Sequence, residues 1–332
     1  MQSKARLIAT LLLVSVLGAC SKAHQARVAV YEKSMVSPAR WRNIPNKYDA
    51  ELHKMGMPPA PPLYIAPPPL PHPKNTKSDA LVSFGHHKIH GISFYQTTID
   101  LSQKSQYMSI LLPHDVAEAN SVTVHHGAEN FAEYVRLHKC AVMTNGTFFS
   151  KDKQERVLGN LRTDNQSLKY SPWEDYGTTF AIKKDNVLEM VTARAEGKPR
   201  FDKHIFSLTC GPRLLRRGKT WVHPTFEGFL DAHVLTVGPR QALGYSADGK
   251  RIYLVSFLTA LSLEKAAEMM ATIGCAEAMN LDGGASRALA HDGKILIEAG
   301  RPLTNVIVVY DRLHPAPAKT IRAWEESPTT LR

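Results

Sequence analysis

The sequence of 332 residues has few cysteines, no long apolar run and fewer acidic than basic residues. Its longest apolar run, residues 7–17, is too short to cross a bilayer, which takes about 20 apolar residues. None of the four cysteines belongs to a Cys-x-x-Cys pair, so we do not expect a structural zinc site. Lys and Arg number 41 against 30 Asp and Glu, and the formal net charge of +11 favours anionic partners.

Several common functional motifs are also missing. The sequence contains no P-loop, no dinucleotide fingerprint, no Gly-x-Ser-x-Gly elbow and no His-Glu-x-x-His pair. His86, His87 and His90 lie in β-type sequence, where they are interpreted as strand or turn residues. No helix-turn-helix, zinc finger or RNA-binding aromatic pattern accompanies the positive charge, so nucleic acid is not an expected partner. No motif identifies a metal or an organic cofactor, and the need for either stays unknown.

The N-terminus has the pattern of an export signal. Residues 1–19 combine the cations Lys4 and Arg6 with the short apolar run, as a signal peptide does. The segment Leu17-Gly18-Ala19-Cys20 resembles a bacterial lipobox, in which the thiol of Cys20 would carry a lipid and anchor the chain to a membrane. Ordinary cleavage before an unmodified Cys20 is the alternative. We expect a cell-envelope lipoprotein, in the outer membrane and facing the periplasm or the cell surface.

Proline marks the organisation of the rest of the chain. Nine prolines within residues 57–73 predict a polyproline II spacer inside an N-terminal segment, 20–77. A proline-rich ligand for a partner protein is the alternative. Residues 78–312 contain many β-type runs and few helical ones, which predicts a single α+β domain built on a mixed, mostly antiparallel β-sheet with a few packed helices. Residues 313–332 are predicted to form a loose tail.

Turn and capping residues predict individual elements. Asp248-Gly249 and Asp292-Gly293 each separate two apolar runs, the pattern of a β-hairpin. Ser262 is a suitable N-cap for a helix that ends at Gly274. A second helix is predicted over residues 128–139.

The two predicted helices are followed by similar sequences. Each leads into a cysteine and then, five residues later, an asparagine, over Cys140–Asn145 and Cys275–Asn280. Glycine follows both asparagines, so either coincidence or an internal duplication explains the similarity. If the two strands are neighbours in one sheet, Cys140 and Cys275 could form a disulfide.

The segment with the clearest chemistry is Asn280-Leu281-Asp282-Gly283-Gly284. An apolar strand delivers a carboxylate and then two glycines, whose backbone can approach a ligand and whose N–H groups can bind an anion. Asp-Gly-Gly is also common in loops, and on spacing alone a simple tight turn is the favoured interpretation.

This segment resembles the Asn-Leu-Asp-Gly-Gly-Gly-Ser signature of the phosphodiester glycosidase family. Three further blocks resemble that family in the same order, at residues 144–149, 210–215 and 239–244. The resemblance covers roughly residues 85–310. Ala285, Thr147 and Cys210 depart from the family pattern, which implies a pocket of different shape and a different substrate.

The resemblance implies hydrolysis of the bond between a sugar and the phosphate of a phosphodiester in envelope or extracellular glycans. It implies that Asp282 is the key carboxylate and that Arg240 is a bidentate phosphate clamp. A second carboxylate is not identified among Glu227, Asp231, Glu129 and Asp164. The remaining residues expected to bind substrate are Asn145, Gly146, Thr147, Gly211, Asn280, Gly283, Gly284 and Ser286.

Two other functions stay open. One is a non-catalytic envelope lipoprotein that binds a glycan or a phosphate, and the other is a scaffold that uses the proline-rich arm. The expected partners are a glycan or sugar-phosphate substrate and, through the N-terminal anchor, a membrane. The oligomeric state is not predicted.

Overall fold

The computed structural model describes residues 81–103, 105–171 and 174–325. The signal sequence, Cys20 and the proline-rich segment lie outside the described residues. The part that is described contains seventeen strands and five α-helices, so the expected α+β class is confirmed. The expectation of one sheet is wrong in detail, because the strands form three sheets.

In chain order the strands are β1 (Ser83–Ile89), β2 (Ile92–Asp100), β3 (Tyr107–Leu111), β4 (Val142–Asn145), β5 (Leu161–Thr163), β6 (Gln166–Lys169), β7 (Thr178–Lys183), β8 (Leu188–Thr192), β9 (His204–Cys210), β10 (Arg213–Arg216), β11 (Lys219–Thr220), β12 (Gln241–Ser246), β13 (Arg251–Phe257), β14 (Cys275–Asn280), β15 (Leu289–His291), β16 (Lys294–Ile297) and β17 (Val306–Tyr310). The helices are α1 (Phe131–Leu137), α2 (Ala193–Glu196), α3 (Ala232–Leu235), α4 (Leu263–Ile273) and α5 (Ala318–Glu325).

All three sheets are antiparallel between neighbouring strands. The first has the order β1-β2-β13-β12-β14-β10-β11, the second β16-β15-β4-β17-β3 and the third β6-β5-β9-β7-β8. The main core joins the inner faces of all three, with Leu254 from the first sheet, Val309 from the second and Phe206 from the third. Helix α4 packs its apolar side against the first sheet, where Ala267 and Met270 are fully buried.

The predicted caps and hairpins are confirmed. The Ser262 hydroxyl accepts a hydrogen bond from the N–H of Lys265 at 3.1 Å, and Gly274 ends α4 with a φ of 109°. Asp-Gly turns join β12 to β13 and β15 to β16. The helix predicted over 128–139 is shorter, spanning Phe131–Leu137, because Glu129 instead forms a β-bridge with Leu303.

The expected relation between the two cysteine-bearing units is wrong. Strand β4 lies in the second sheet and β14 in the first, so Cys140 and Cys275 do not face each other. Both cysteines, and Cys210, are buried free thiols. Burial raises the pKa of the Cys140 thiol to about 12, which keeps it protonated and unreactive.

The segment after β17 is not a loose tail where it is described. Helix α5 packs on β3, with Thr320 and Ala323 buried. The Tyr107 hydroxyl donates to a carboxylate oxygen of Glu325 at 2.7 Å, and Trp324 meets the Tyr107 ring edge-on at 5.7 Å. Within the described ranges, none of the helices has the length and apolar character that crossing a membrane takes.

Candidate active site

Strands β4 and β14 come from different sheets, yet their ends meet at the Asp282 turn. The Asn145 side chain, at the end of β4, donates from Nδ2 to the Asp282 carbonyl at 2.7 Å and accepts from the Ala288 N–H at 2.9 Å. The Gly146 carbonyl accepts a hydrogen bond from the Asp282 N–H at 3.4 Å. Asn145 and Gly146 therefore support the turn that carries Asp282.

The two glycines after Asp282 make the turn tight. A Cβ on Gly283 would lie 2.4 Å from the Pro239 carbonyl oxygen, so only glycine fits there. The Gly283 N–H donates to Asp282 Oδ1 at 2.8 Å, and the Gly284 N–H donates to the Pro239 carbonyl at 3.1 Å. Since both N–H groups have partners, the expected anion nest is wrong.

A cavity of about 700 Å³ opens above this turn. One side is aromatic: the Tyr176 and Phe229 rings lie 4.7 Å apart between centroids, and Phe148 lies 5.8 Å from Phe229. The lining residues that bear on function are Phe148, Phe149, Lys151, Tyr176, Phe229, Leu230, Asp231, Val237, Arg240, Asn280, Asp282, Gly283, Gly284 and Arg301. The cavity thus combines aromatic surface with charged groups, as sites for polar organic ligands do.

Asp282 is the buried charge of this cavity. Only 5% of the residue is exposed, and this burial raises the pKa of its carboxyl to about 6. Hydrogen bonds from Ser286 and Gly283 and the charge of Arg301 oppose the rise. A carboxylate of this kind is mainly ionised at neutral pH and gains a proton in mild acid.

Arg301 is the cation next to Asp282, and the sequence reasoning missed it. Its Nη2 lies 3.3 Å from Asp282 Oδ2, its Nε donates to the Ser286 hydroxyl at 2.7 Å, and its guanidinium carbon lies 4.0 Å from the centre of the Phe149 ring. The side chain is 31% exposed and lines the cavity. A bound anion can therefore reach it.

No local pattern pointed to Arg301. It lies 19 residues after Asp282 in the sequence Gly300-Arg301-Pro302, where a lone arginine resembles any surface cation. Its position depends on a contact between distant segments, because the Gly300 N–H donates to the Ala285 carbonyl at 2.8 Å. Ala285, one of the departures from the family pattern, is thus part of the support for Arg301.

Arg240 lines the cavity, but the predicted bidentate clamp is not available. Its Nε donates to the Leu261 carbonyl at 3.1 Å, and its Nη2 donates to the carbonyls of Val234, at 2.9 Å, and Thr236. These bonds use Nε and Nη2, the two nitrogens on one side of the guanidinium. Arg240 as a whole residue is only 3% exposed. Arg240 therefore holds the cavity wall in place.

Asn280 lines the cavity, and its side-chain oxygen Oδ1 is an acceptor without a partner among the described residues. Its Nδ2 donates to the carbonyls of Leu281, at 2.6 Å, and Gly211, at 3.3 Å. Its Oδ1 is buried and has no hydrogen-bond partner among the described residues. A buried acceptor of this kind favours a ligand that brings a hydroxyl or N–H donor.

The other predicted binding residues do not line the cavity. Thr147 donates from its hydroxyl to the Thr209 carbonyl at 2.6 Å, and Ser286 holds Arg301. Gly211 has a φ of 124° and donates its N–H to the Asn280 carbonyl at 3.0 Å. These five residues support the wall from behind, and their contact with substrate stays a prediction: Asn145, Gly146, Thr147, Gly211 and Ser286.

Of the four other carboxylates, only Asp231 faces the cavity. It lies at the mouth, where an ion pair with Lys151 at 2.8 Å lowers its pKa. Glu227 is buried behind the wall, and that burial raises its pKa to about 7. Glu129 and Asp164 are buried away from the cavity, where Glu129 pairs with His114 and Asp164 with Lys319.

No cluster of three or more His, Cys, Asp or Glu residues with metal-binding geometry occurs in the described part of the chain. The cation already placed beside Asp282 is Arg301.

Residues 138–310 match the family model named phosphodiester glycosidase, over more than half of the chain. The chain belongs to the phosphodiester glycosidase family. The match includes Asp282, Arg240 and Arg301, so the whole lining of the cavity lies within the glycosidase segment.

Solved structures show the same fold. The catalytic domain of zebrafish N-acetylglucosamine-1-phosphodiester α-N-acetylglucosaminidase, described as auto-inhibited by its pro-peptide, is similar with a TM-score of 0.55 and 18% identity, over 72% of this chain and 85% of that one. A hypothetical protein from Synechocystis is similar with a TM-score of 0.50 and 16% identity, over 69% of this chain and 61% of that one. No curated protein sequence matches this member of the phosphodiester glycosidase family.

Proposed function

We propose that this protein hydrolyses the bond between a sugar and the phosphate of a glycosyl phosphodiester in envelope or extracellular glycans. The observation that carries the proposal is the pair of a buried carboxylate, Asp282, and an accessible guanidinium, Arg301, 3.3 Å apart in a cavity of about 700 Å³. Membership of the phosphodiester glycosidase family supports the same reaction class.

The chemistry divides between these two residues. Arg301 binds the phosphate, which carries negative charge throughout the reaction. Ionised Asp282 acts as nucleophile or base, or stabilises the positive charge that develops on the anomeric carbon as the bond breaks. The electron pair of that bond goes to the phosphate oxygen, and water supplies the hydroxyl of the released sugar. Because a phosphate monoester is a good leaving group, the reaction needs little help from a general acid.

The cavity wall supplies the sugar contacts. The rings of Tyr176 and Phe229 offer a surface for the apolar face of a pyranose. The unpartnered Oδ1 of Asn280 accepts a hydrogen bond from a sugar hydroxyl or amide N–H. Such contacts hold the anomeric carbon at a fixed position relative to Asp282.

Binding without catalysis is the competing function. The observation that favours it is that Asp231 and Asp282 are the only carboxylates among the described residues that line the cavity, and Asp231 is already paired with Lys151. A single carboxylate beside the substrate suffices for cleavage when the leaving group is good. It leaves the site without a separate general acid.

The test is sugar release from a panel of nucleotide-linked and nitrophenyl-linked glycosyl phosphates. We expect wild type to turn over at least one of them and Asp282→Asn to lose on the order of 10³-fold in kcat. Asp231→Asn is the matched control, because it removes a carboxylate from the mouth of the same cavity, and it should keep most of the activity. Tight binding of the panel with no turnover by wild type would establish a binding protein instead.

Export and anchoring through Cys20 remain part of the proposal, on the strength of the lipobox pattern. In a bacterial host fed labelled palmitate, wild type should incorporate label into the membrane fraction and Cys20→Ala should not. Equal labelling of the two proteins would contradict lipidation at Cys20.

A further inference from the structure

An apolar lip borders the mouth of the Asp282 cavity, formed by Leu230 and Val237. Leu230 is 78% exposed and Val237 is 65% exposed, and both line the cavity. Leu235, 38% exposed, lies between them in the sequence. Single exposed apolar residues are normal on protein surfaces, and a concentration of them marks a binding surface. Three of the nine exposed large apolar side chains of the described residues lie in this stretch of eight, so the lip is part of such a concentration.

The lip is held in its exposed position by polar contacts. The Asp231 carboxylate caps α3 by accepting from the His233 N–H at 2.9 Å, and it pairs with Lys151 across the mouth. From the other side, the buried guanidinium of Arg240 binds the carbonyls of Val234 and Thr236. These contacts hold the backbone between Asp231 and Thr236 in place.

Three zones line the cavity, and at its mouth the exposed Leu230 and Val237 lie beside the Asp231–Lys151 ion pair. The floor carries the Asp282–Arg301 pair, the wall carries Tyr176 and Phe229, and the lip is aliphatic. A ligand that complements all three zones has a charged phosphate, a sugar and an apolar group that reaches out of the cavity. An alcohol such as glycerol or a second sugar would leave the lip in contact with water.

We propose that the alcohol esterified to the phosphate is an alkyl or isoprenoid chain, and that the lip formed by Leu230 and Val237 binds it. The inference rests on the proposed function, because it names the part of the phosphodiester that faces the mouth. The alkyl chain is covalently attached to the phosphate that binds the charged floor. This attachment distinguishes it from a separate apolar partner that would bind the lip alone. Each CH₂ that it buries on the lip improves binding about fourfold, the equivalent of about 0.8 kcal/mol.

The test compares two synthetic phosphodiesters of the same sugar, one with a methyl and one with an octyl alcohol, below the micellar concentration. With wild type we expect the octyl compound to have a KM lower by about tenfold or more, at similar kcat. Leu230→Ser and Val237→Ser should bring the two KM values together by raising the KM of the octyl compound more than that of the methyl compound. Val122→Ser is the matched control, because Val122 is 71% exposed but does not line the cavity, and it should keep the wild-type ratio.

Direct binding separates failure of this inference from failure of the proposed function. Calorimetry with octyl phosphate and methyl phosphate requires no turnover. A lip-dependent preference for octyl phosphate, without hydrolysis of any diester, would overturn the reaction but support the lip. Equal affinity of wild type for the two phosphates would overturn the lip proposal, and so would lip-dependent binding to phospholipid vesicles with no preference between them.

Discussion

Asp282 carries a free-energy cost that its surroundings only partly offset. Burial shifts its pKa from 3.8 to about 6, against the opposing effects of Ser286, Arg301 and Gly283. Such a cost in a cavity wall is typical of a functional group, since a neutral side chain would be more stable there.

Replacing this carboxylate should stabilise the protein in a pH-dependent way. The folded-state pKa of Asp282 lies above its value of 3.8 in the unfolded chain, so wild type loses stability as the pH rises from about 4 through about 6. Asp282→Asn does not have this loss. The difference in free energy of unfolding, variant minus wild type, should therefore grow by up to about 3 kcal/mol between pH 4 and pH 7. Urea unfolding at both pH values measures it, and a difference that is constant or shrinks would contradict the burial of this charge.

Arg301 should be more important for substrate binding than Arg240. Arg301→Lys keeps the positive charge but cannot contact Asp282, Ser286 and a phosphate together, so kcat/KM should fall by about 10- to 100-fold with little change in thermal stability. Arg240→Lys should instead lower the melting temperature, because it removes buried bonds to three carbonyls. If Arg240→Lys left stability intact and removed phosphate binding, the original clamp assignment would be right.

At the residue scale, Asp282 was predicted from the sequence because it belongs to a motif, and Arg301 was missed because it belongs to none. Asp282 follows an apolar strand and precedes two glycines, a pattern visible in the sequence. Arg301 is held close to Asp282 by the hydrogen bond from the Gly300 N–H to the Ala285 carbonyl. That contact is non-local. Arg240 also lies at the cavity, but which of its nitrogens are free depends on the carbonyls of α3, which sequence does not reveal.

At the scale of elements, the Asp282 turn depends on the absence of a side chain at Gly283. A Cβ there would lie 2.4 Å from the backbone carbonyl of Pro239, which cannot move without disturbing Arg240. Gly283→Ala should therefore cost about 2 kcal/mol in stability and abolish activity.

Gly238 provides the control for that substitution. It lines the same cavity, has no positive φ and has open space where a Cβ would be. Gly238→Ala should change the melting temperature little. Equal effects of the two substitutions would show that the contact between Gly283 and Pro239 does not limit the turn.

Local elements were predictable where their signals are local. The Asp-Gly hairpins and the capped helix α4 were found because turn and cap residues act over a few positions. The assignment of strands to three sheets was not, since β4 and β14 follow similar helices yet pair with different partners. Helix α5 was missed because it spans only eight residues and is held by a non-local contact, that of Trp324 with Tyr107 on β3.

At the scale of the whole molecule, a buried ionic cluster connects the first sheet to the segment between β8 and β9 of the third. Arg213 on β10 is 2% exposed and pairs with Glu196 on α2 at 2.7 Å and with Glu277 on β14. Arg216 also reaches Glu196, at 3.0 Å. The nearby Arg216 and Arg213 hold the pKa of Glu196 at about 2 against its burial, so this carboxylate is charged at neutral pH.

Removing the central cation should destabilise the domain strongly. Arg213→Met leaves the Glu277 charge buried without its partner, which should cost about 3–5 kcal/mol in urea unfolding. Arg200→Met is the control, because the Arg200–Asp202 pair is more than half exposed on both sides, and it should cost less than about 1 kcal/mol. A small effect of Arg213→Met would mean that the cluster does not hold these segments together.

The central claim is that the cavity around Asp282 cleaves the bond between a sugar carbon and a phosphate oxygen. The most direct measurement is hydrolysis of a glycosyl phosphodiester in ¹⁸O-labelled water, followed by mass spectrometry of both products. The account predicts the label in the released sugar, none in the phosphate monoester, and neither product with Asp282→Asn. Label in the phosphate monoester would place the attack at phosphorus and contradict the assignment of a glycosidase.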